Sequence, residues 1–495
     1  MTDAAQKPER IEIAPGMSIS RVLTGLWQVA DMERDGNEID PETGADALQA
    51  YVDAGLDTFD MADHYGSSEI MAGRLLARGG APRPLAFTKW VPAVGALTEA
   101  DMRAGVQARL DRLGVDRVDL LQFHTWNYLD DGMLENLHTL ARMREEGLIA
   151  ELGVTNFDAA HFNLALSDGV PLRTNQISFS LMDRRAAGDM AKVCAKHGAF
   201  VLAYGTLCGG FLSDRWVGQP EPTDIPDWSK MKYKRFIDTA GGWDALQAVL
   251  HAAKTIADKH GVSVSNVATR WVLDQPHVAG VIIGARLGEN MHAADNLQPF
   301  SFKLDDEDQA TLQAAFDHTQ PIPGDCGDEY RKPPFLTASG DLSHHLTEMP
   351  PPQTALPVPG RPAESRVLTG SKWEDVAGYC RARRIGDRIL VAGTTAVSGH
   401  SRAVAPEDAG AQTVYILDRI IAAIEALGGT AEDVVRTRVY ITDEADVLDI
   451  SEAHGRVFRD IKPVNTLYRI AGLIGAHKVE VDVEAMIREG STGTG

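Results

Sequence analysis

LDTFDMADHYGSSE (56–69) decides the fold. Its first half, DTFDMA (57–62), is a short run rich in β-forming residues that breaks off on polar ones, and Asp60 and Tyr65 stand at the break. PLAFTKW (84–90) repeats the pattern and ends on Lys89; VDLLQFH (118–124) repeats it again and ends on His124. Three successive strands that each deliver a proton-handling side chain at the carboxyl end match the way barrel enzymes place their chemistry.

Outward from that stretch, β-like runs alternate with amphipathic helical ones from residue 19 to about 296, the pattern of parallel strands joined by helices. Eight strands are expected, at 19–28, 57–62, 85–90, 118–124, 150–155, 173–178, 200–205 and 280–285. Eight units over this length fit a closed (β/α)8 barrel of the TIM type. The intervening helices carry their own signals: Val106, Leu110 and Leu113 share a face, and Gly114 ends that helix.

The pattern then breaks. Ten prolines between 321 and 362 mark a Pro-rich linker at 319–365, extended across the surface and tacked down by residues such as Tyr330 and Phe335. Domain boundaries follow: a barrel over 1–318, the linker, and an α+β unit over 366–495. In the last unit, strands are expected at 379–385, 388–393, 434–442, 465–472 and 478–487, with helices at 407–427 and 445–459. Val479, Val481 and Val483 alternate with Glu480, Asp482 and Glu484, so one face of the last strand is buried. A sheet with helices on one side leaves its other face to be covered, which points to oligomers.

Bulk composition narrows the class. Forty-eight Lys and Arg against 70 Asp and Glu give a net charge of −22, which disfavours nucleic acid and anionic membrane surfaces as partners. No run of about 18 apolar residues and no apolar leader is present, so a soluble cytoplasmic protein is expected. Cys194, Cys208, Cys326 and Cys380 form no CxxC pair, so neither a disulfide framework nor a metal site is expected.

The chemistry of the first unit follows from ordinary acidities. A tyrosine titrates near pH 10; a neighbouring ammonium stabilises its anion, and a carboxylate holds that ammonium in place. A histidine beside them orients a carbonyl that is to be reduced. Singly, each residue also has a structural reading: Asp60 as a loop cap, Lys89 as a solvated strand-end cation, His124 as a core imidazole, Asn156 as a turn residue. Trp27 and Trp126 are expected as pocket walls or as core aromatics. The stretch 206–243, with Trp216, Trp228 and Trp243, is expected to cover the pocket.

FDMADHYG, FTKW, LLQFH, GVTNF (153–157) and TNQISFSLMDRR (174–185) together resemble the aldo-keto reductases over residues 17–318. The resemblance implies that Tyr65 is the general acid, Lys89 and Asp60 its tuning partners and His124 the carbonyl-orienting group. It implies NADP(H) as cofactor, with Thr155, Asn156 and Gln176 at the nicotinamide carboxamide and Tyr204 stacked on the ring. VIIGARLGENMHAADN resembles the family's phosphate and adenine segment: Gly284 and Ala285 for close backbone approach, Arg286 for the 2′-phosphate, Asp295 and Asn296 for adenine. A guanidinium suits a phosphate dianion. Some family members carry lysine there.

IGDRILVAGTTAV, AAIEALGGTAEDVVRTRVYITD and KPVNTLYRIAGLIGAHKVEVDVEAMI resemble the Rid/YjgF family over about 371–489. Those are small trimeric domains with a chorismate-mutase-like fold, many of which hydrolyse enamines and imines. Active members place an arginine just after the KP-x motif; this chain has Asn465 there. Arg469 or Arg438 is the candidate substitute, and Asp482 or Glu484 the candidate to activate water. Three functions are then open: a carbonyl reductase carried on a homotrimeric scaffold, or a higher multiple of three; a bifunctional enzyme whose second unit hydrolyses an imine to the carbonyl that the barrel reduces; and a non-enzymatic nucleotide-sensing subunit.

Overall fold

The structure, a computed structural model, describes residues 7–29, 39–93, 96–130, 132–287, 292–337, 351–399 and 401–488. Eight parallel strands, Val22–Gly25, Thr58–Ala62, Leu85–Trp90, Val118–His124, Ile149–Thr155, Leu172–Ser178, Phe200–Tyr204 and Val278–Gly284, close into a barrel. Most of their residues are buried on both faces, which is why they read as near-continuous apolar runs. The helix Glu99–Leu113 shows how the ring of helices is cut to length: a Thr98/Asp101 capping box starts it, and Gly114, at φ 63°, stops it.

The run 19–28, expected as one strand, is three elements. Met17–Ser20 pairs antiparallel with Arg10–Ala14, the barrel strand is only Val22–Gly25, and Trp27–Val29 forms a 3-10 turn. The chain changes partners at Arg21, whose N–H bonds to Glu9 while its carbonyl accepts from Val281. Ile13, Ala14, Met17 and Ile19 of the hairpin pack under Leu23, Phe87, Leu120 and Leu202 and close the barrel floor.

The second unit is a seven-stranded sheet in the order Ala355–Val358, Arg361–Val367, Ala382–Ile385, Arg388–Thr395, Val479–Met486, Val434–Ile441, Val464–Arg469. All neighbours are antiparallel except the last pair. Its first two strands correct the linker expected over 319–365. Pro357 lies on the sheet's edge strand and Pro362 falls outside the paired register, so neither removes a needed ladder donor. The other end of the connector is also ordered: Glu329 takes the buried Arg185 at 3.0 Å, and Tyr330 reaches the barrel mouth.

Helices Ala409–Ala426 and Val447–Phe458 cover one face of the sheet. Ala409–Ala426 is buried on all sides, because its outer face packs against the barrel helix Ala159–Ser167. The barrel thus covers the helical layer, and the opposite face of the sheet stays open.

Candidate active site

At the carboxyl ends of the barrel strands lies a cavity of about 580 Å³. Asp60, Tyr65, Lys89 and His124 all line it. Lys89 and Asp60 sit at the ends of adjacent strands and form a buried ion pair, Nζ to Oδ2, at 2.7 Å. The other carboxylate oxygen accepts from Gln176 Nε2 at 2.6 Å and lies 3.4 Å from Gln122 Nε2, so Asp60 is fixed from three strands. Burial lowers the Lys89 pKa below the usual lysine value against the opposing pull of Asp60. Its ammonium stands 4.8 Å from the centre of the Tyr65 ring. Trp27 packs edge-on to Tyr65 with ring centres 5.0 Å apart and lines the cavity beside it.

His124 is fully buried, with Trp126 edge-on at 4.7 Å. Trp126, expected as a pocket wall or a core aromatic, lies behind His124 and off this cavity's wall, its indole N–H bound to the Pro92 carbonyl at 2.8 Å, and faces a smaller adjoining cleft.

Asn156 is in the left-handed region at φ 59°. Its N–H bonds to the Gln176 carbonyl at 2.9 Å, its side-chain oxygen accepts from the Tyr204 hydroxyl at 2.7 Å, and Thr155 Oγ1 bonds to that same Gln176 carbonyl at 3.1 Å. Burial pushes the Tyr204 phenol well above its ordinary pKa, so it stays a donor. Thr155, Asn156, Gln176 and Tyr204 therefore form one wall of the cavity. Gly284 and Arg286 line its far end. Gly284 presents bare backbone there, and a Cβ at that place would stand 2.3 Å from Gln28 Oε1. Ala285, Asp295 and Asn296 are not on the cavity wall; Asp295 is tied to Asn266 and Asn296 is buried.

Sequence reasoning missed Lys232 and gave Tyr330 only a tethering role. Lys232 Nζ donates to the Tyr330 hydroxyl at 2.6 Å, and both line the cavity between Tyr204 and His124. Neither sits in a strand-end motif, so no local signal marks them. Trp216 and Trp228 line the cavity as expected of the 206–243 stretch, whereas Trp243 packs under Phe211 and Trp216.

In the second unit the candidates separate onto two faces of the sheet. Thr437 is register partner of Asn465, so the neighbouring Arg438 points to the opposite face. There Arg438 bridges Asp482 at 2.6 Å and Glu484 at 2.7 Å, while Tyr440 bonds to Asp482 at 3.1 Å. Arg438 cannot stand in for an arginine at position 465, and its hydrogen bond holds Glu484 below the ordinary carboxylate range, which weakens it as a base. On the helix-covered face, Asn465 bonds to Thr437 at 2.9 Å, and Thr437 lies 3.0 Å from His454. Arg469, on that same face, is exposed and paired with Glu444 at 3.2 Å.

A closed parallel barrel with a tyrosine, a lysine–aspartate pair and a histidine in one pocket at its strand ends has the architecture of a (β/α)8-barrel enzyme. Residues 21–317 match the Aldo/keto reductase family, and the chain belongs to it. Residues 369–487 match the Endoribonuclease L-PSP family, the YjgF/Rid domain. The chain is 26% identical over 334 residues to an aldo-keto reductase of Bacillus subtilis, spanning 64% of this chain and 96% of that one. A glycerol dehydrogenase structure from Gluconobacter oxydans superposes with a TM-score of 0.52 at 26% identity, covering 66% of this chain and 98% of the other. The second unit is 39% identical over 124 residues to an uncharacterised Streptomyces coelicolor protein, which is 25% of this chain and 92% of that one. Among the described residues, no helix is long and apolar enough to cross a membrane.

Proposed function

We propose that the chain is an NADP(H)-dependent reductase of small aldehydes or ketones and that its second unit assembles it into homotrimers. The observation that carries the first part is the convergence of Asp60, Tyr65, Lys89 and His124 on one cavity, with the lysine fixed by the aspartate at 2.7 Å and set over the tyrosine ring. NADPH supplies the hydride when bound. Its nicotinamide fits the wall built by Thr155, Asn156, Gln176 and Tyr204, and its phosphates fit the far end, lined by Gly284 and by Arg286 as a cation. Tyr65 donates the proton that the reduced carbonyl oxygen needs. Lys89 stabilises the resulting phenolate, Asp60 keeps the ammonium aimed, and His124 orients the carbonyl.

For the second unit, the open face favours assembly over hydrolysis. Leu390, Met486, Val464 and Tyr468 are exposed on or beside it, and the guanidinium that an anionic imine needs is engaged elsewhere. The test of the reductase reading is transfer of deuterium from labelled NADPH to a panel of aldehydes and ketones. Labelled alcohol is the expected product; a full chain that binds NADPH and transfers no label to any of them defeats the reading.

A further inference from the structure

Most polar ties between the two units gather on one barrel helix, Ala159–Ser167, and on the residues at its ends, with others from His138, Lys196 and Tyr128. Asp158 takes Arg456 at 3.0 Å, and Asp168 takes Arg402 through both nitrogens at 2.6 and 2.7 Å. Ser167 and Asn163 bond to Asp408 at 2.7 and 3.0 Å. His161, fully buried, bridges the boundary: Nδ1 meets Asp158 at 2.8 Å and Nε2 meets Asp418 of the second unit at 2.9 Å.

This helix starts three residues after Asn156, whose left-handed backbone must be held by what surrounds it. Two donors hold its carbonyl: the Tyr128 hydroxyl at 3.2 Å and Arg331 Nη1 at 2.6 Å. The Tyr128 hydroxyl accepts in turn from the Asp158 N–H at 3.0 Å. Its ring lies flat on His161, with centres 3.5 Å apart and planes at 8°, and its carbonyl accepts from Arg419 of the second unit at 3.0 Å. One unbroken contact line therefore runs from Asp418 through His161 and Tyr128 to Asn156.

We propose that His161 and Tyr128 are positioning residues of the reductase site and that Asp418 of the second unit completes the support that fixes Asn156. The proposal rests on the reading that Asn156 holds the nicotinamide carboxamide. Without Asp418 the buried Nε2 of His161 loses its partner, and the imidazole is free to turn away from the Tyr128 ring. The second unit is on this account a part of the cofactor site, although none of its described residues lines the cavity.

The test uses full-length Tyr128→Phe, Asp418→Ala, Asp418→Asn and Asn156→Ala, with NADPH affinity read by fluorescence titration beside the KM for carbonyl substrate and the melting temperature. Tyr128→Phe keeps the stacked ring and removes only the hydroxyl, so it serves if Asp418→Ala does not fold. Roughly fivefold weaker NADPH binding is expected in Tyr128→Phe and Asp418→Ala, the scale of one positional hydrogen bond. Carbonyl KM stays unchanged, Asp418→Asn recovers most of the loss, and Asp418→Ala adds nothing in the Asn156→Ala background. NADPH affinity within about twofold of wild type in both variants overturns the proposal, as does full additivity with Asn156→Ala. If Asn156→Ala itself leaves NADPH affinity intact, the reading of Asn156 falls and takes the proposal with it.

Discussion

Arg286 donates to Asp227 Oδ2 at 2.9 Å, across the end of the cavity that we propose for a cofactor phosphate. Asp227 also caps the helix Trp228–Thr239 through Lys230 N–H and is held by the Lys230 ammonium at 2.9 Å. A phosphate dianion therefore has to take Arg286 from a carboxylate. Arg286→Ala is expected to weaken NADPH much more than NADH, since only the former carries the 2′-phosphate. Asp227→Asn retains the capping oxygen and frees the guanidinium, so it is expected to tighten NADPH. Titration of both dinucleotides checks both changes; equal losses for the two in Arg286→Ala would remove its phosphate role.

Tyr65→Phe leaves the ring packed against Trp27 and removes the proton donor. Carbonyl reduction is expected to fall by at least ~10²-fold, the scale of general acid catalysis, with NADPH affinity nearly unchanged. Steady-state turnover together with fluorescence titration decides it, and undiminished turnover refutes the assignment.

Lys89→Met leaves Asp60 with no cation at 2.7 Å in a buried site. Removing one partner of such a pair costs about 3–5 kcal/mol, so the melting temperature is expected to drop along with turnover. Adding Asp60→Asn to Lys89→Met removes the stranded charge and is expected to restore most of the stability and none of the activity. Denaturant melts of the single and double variants give the comparison.

The docking of the two units is expected to weaken as pH rises. Asp158 and Asp418 raise the pKa of His161 above 6.5, even though burial opposes them, with Arg456 the nearby cation. A histidine whose folded pKa exceeds its unfolded value stabilises fully below about 6.5 and loses that contribution as pH climbs through the folded value. Asp325 acts in a lower window: burial and then Asp158 push it up to about 6, so its share changes between about 4 and 6. Melting temperature followed from pH 6.5 upward is expected to fall more steeply in wild type than in His161→Gln. Parallel curves would exclude His161 as the source.

Light scattering of the full chain is expected to give three copies or a multiple of three. Charges placed on the open face, as in Leu390→Glu with Tyr468→Glu, are expected to yield single copies that keep reductase turnover. A wild-type chain that runs as a single copy contradicts the assembly role.

The strand ends were legible because Asp60, Lys89 and His124 interrupt apolar runs, and a polar residue at such an interruption has little structural reason to be there. The limits had physical causes. In ISRVLTGLWQ the β-forming residues run on past Arg21, where the chain leaves one sheet for another, and no Gly, Pro, Asn or Asp stands there to announce the change. The strands 355–358 and 361–367 were hidden by prolines that edge and unpaired positions tolerate. Lys232 and Tyr330 reach the pocket only because segments about a hundred residues apart fold over the same mouth, and no window along the chain contains both. Arg438 and Arg469 looked like equal substitutes near Asn465 until the register put Arg438 on the opposite face, with Asn465 and Arg469 together on the other.

Ala409–Ala426 has no wet side, since the sheet lies against one flank and Ala159–Ser167 against the other. Pulling the two units apart takes from that helix the cover of Ala159–Ser167 and leaves Asp418 and Arg419 without their barrel partners. An isolated half is then an altered species, and its silence in an assay says nothing about what it does at home.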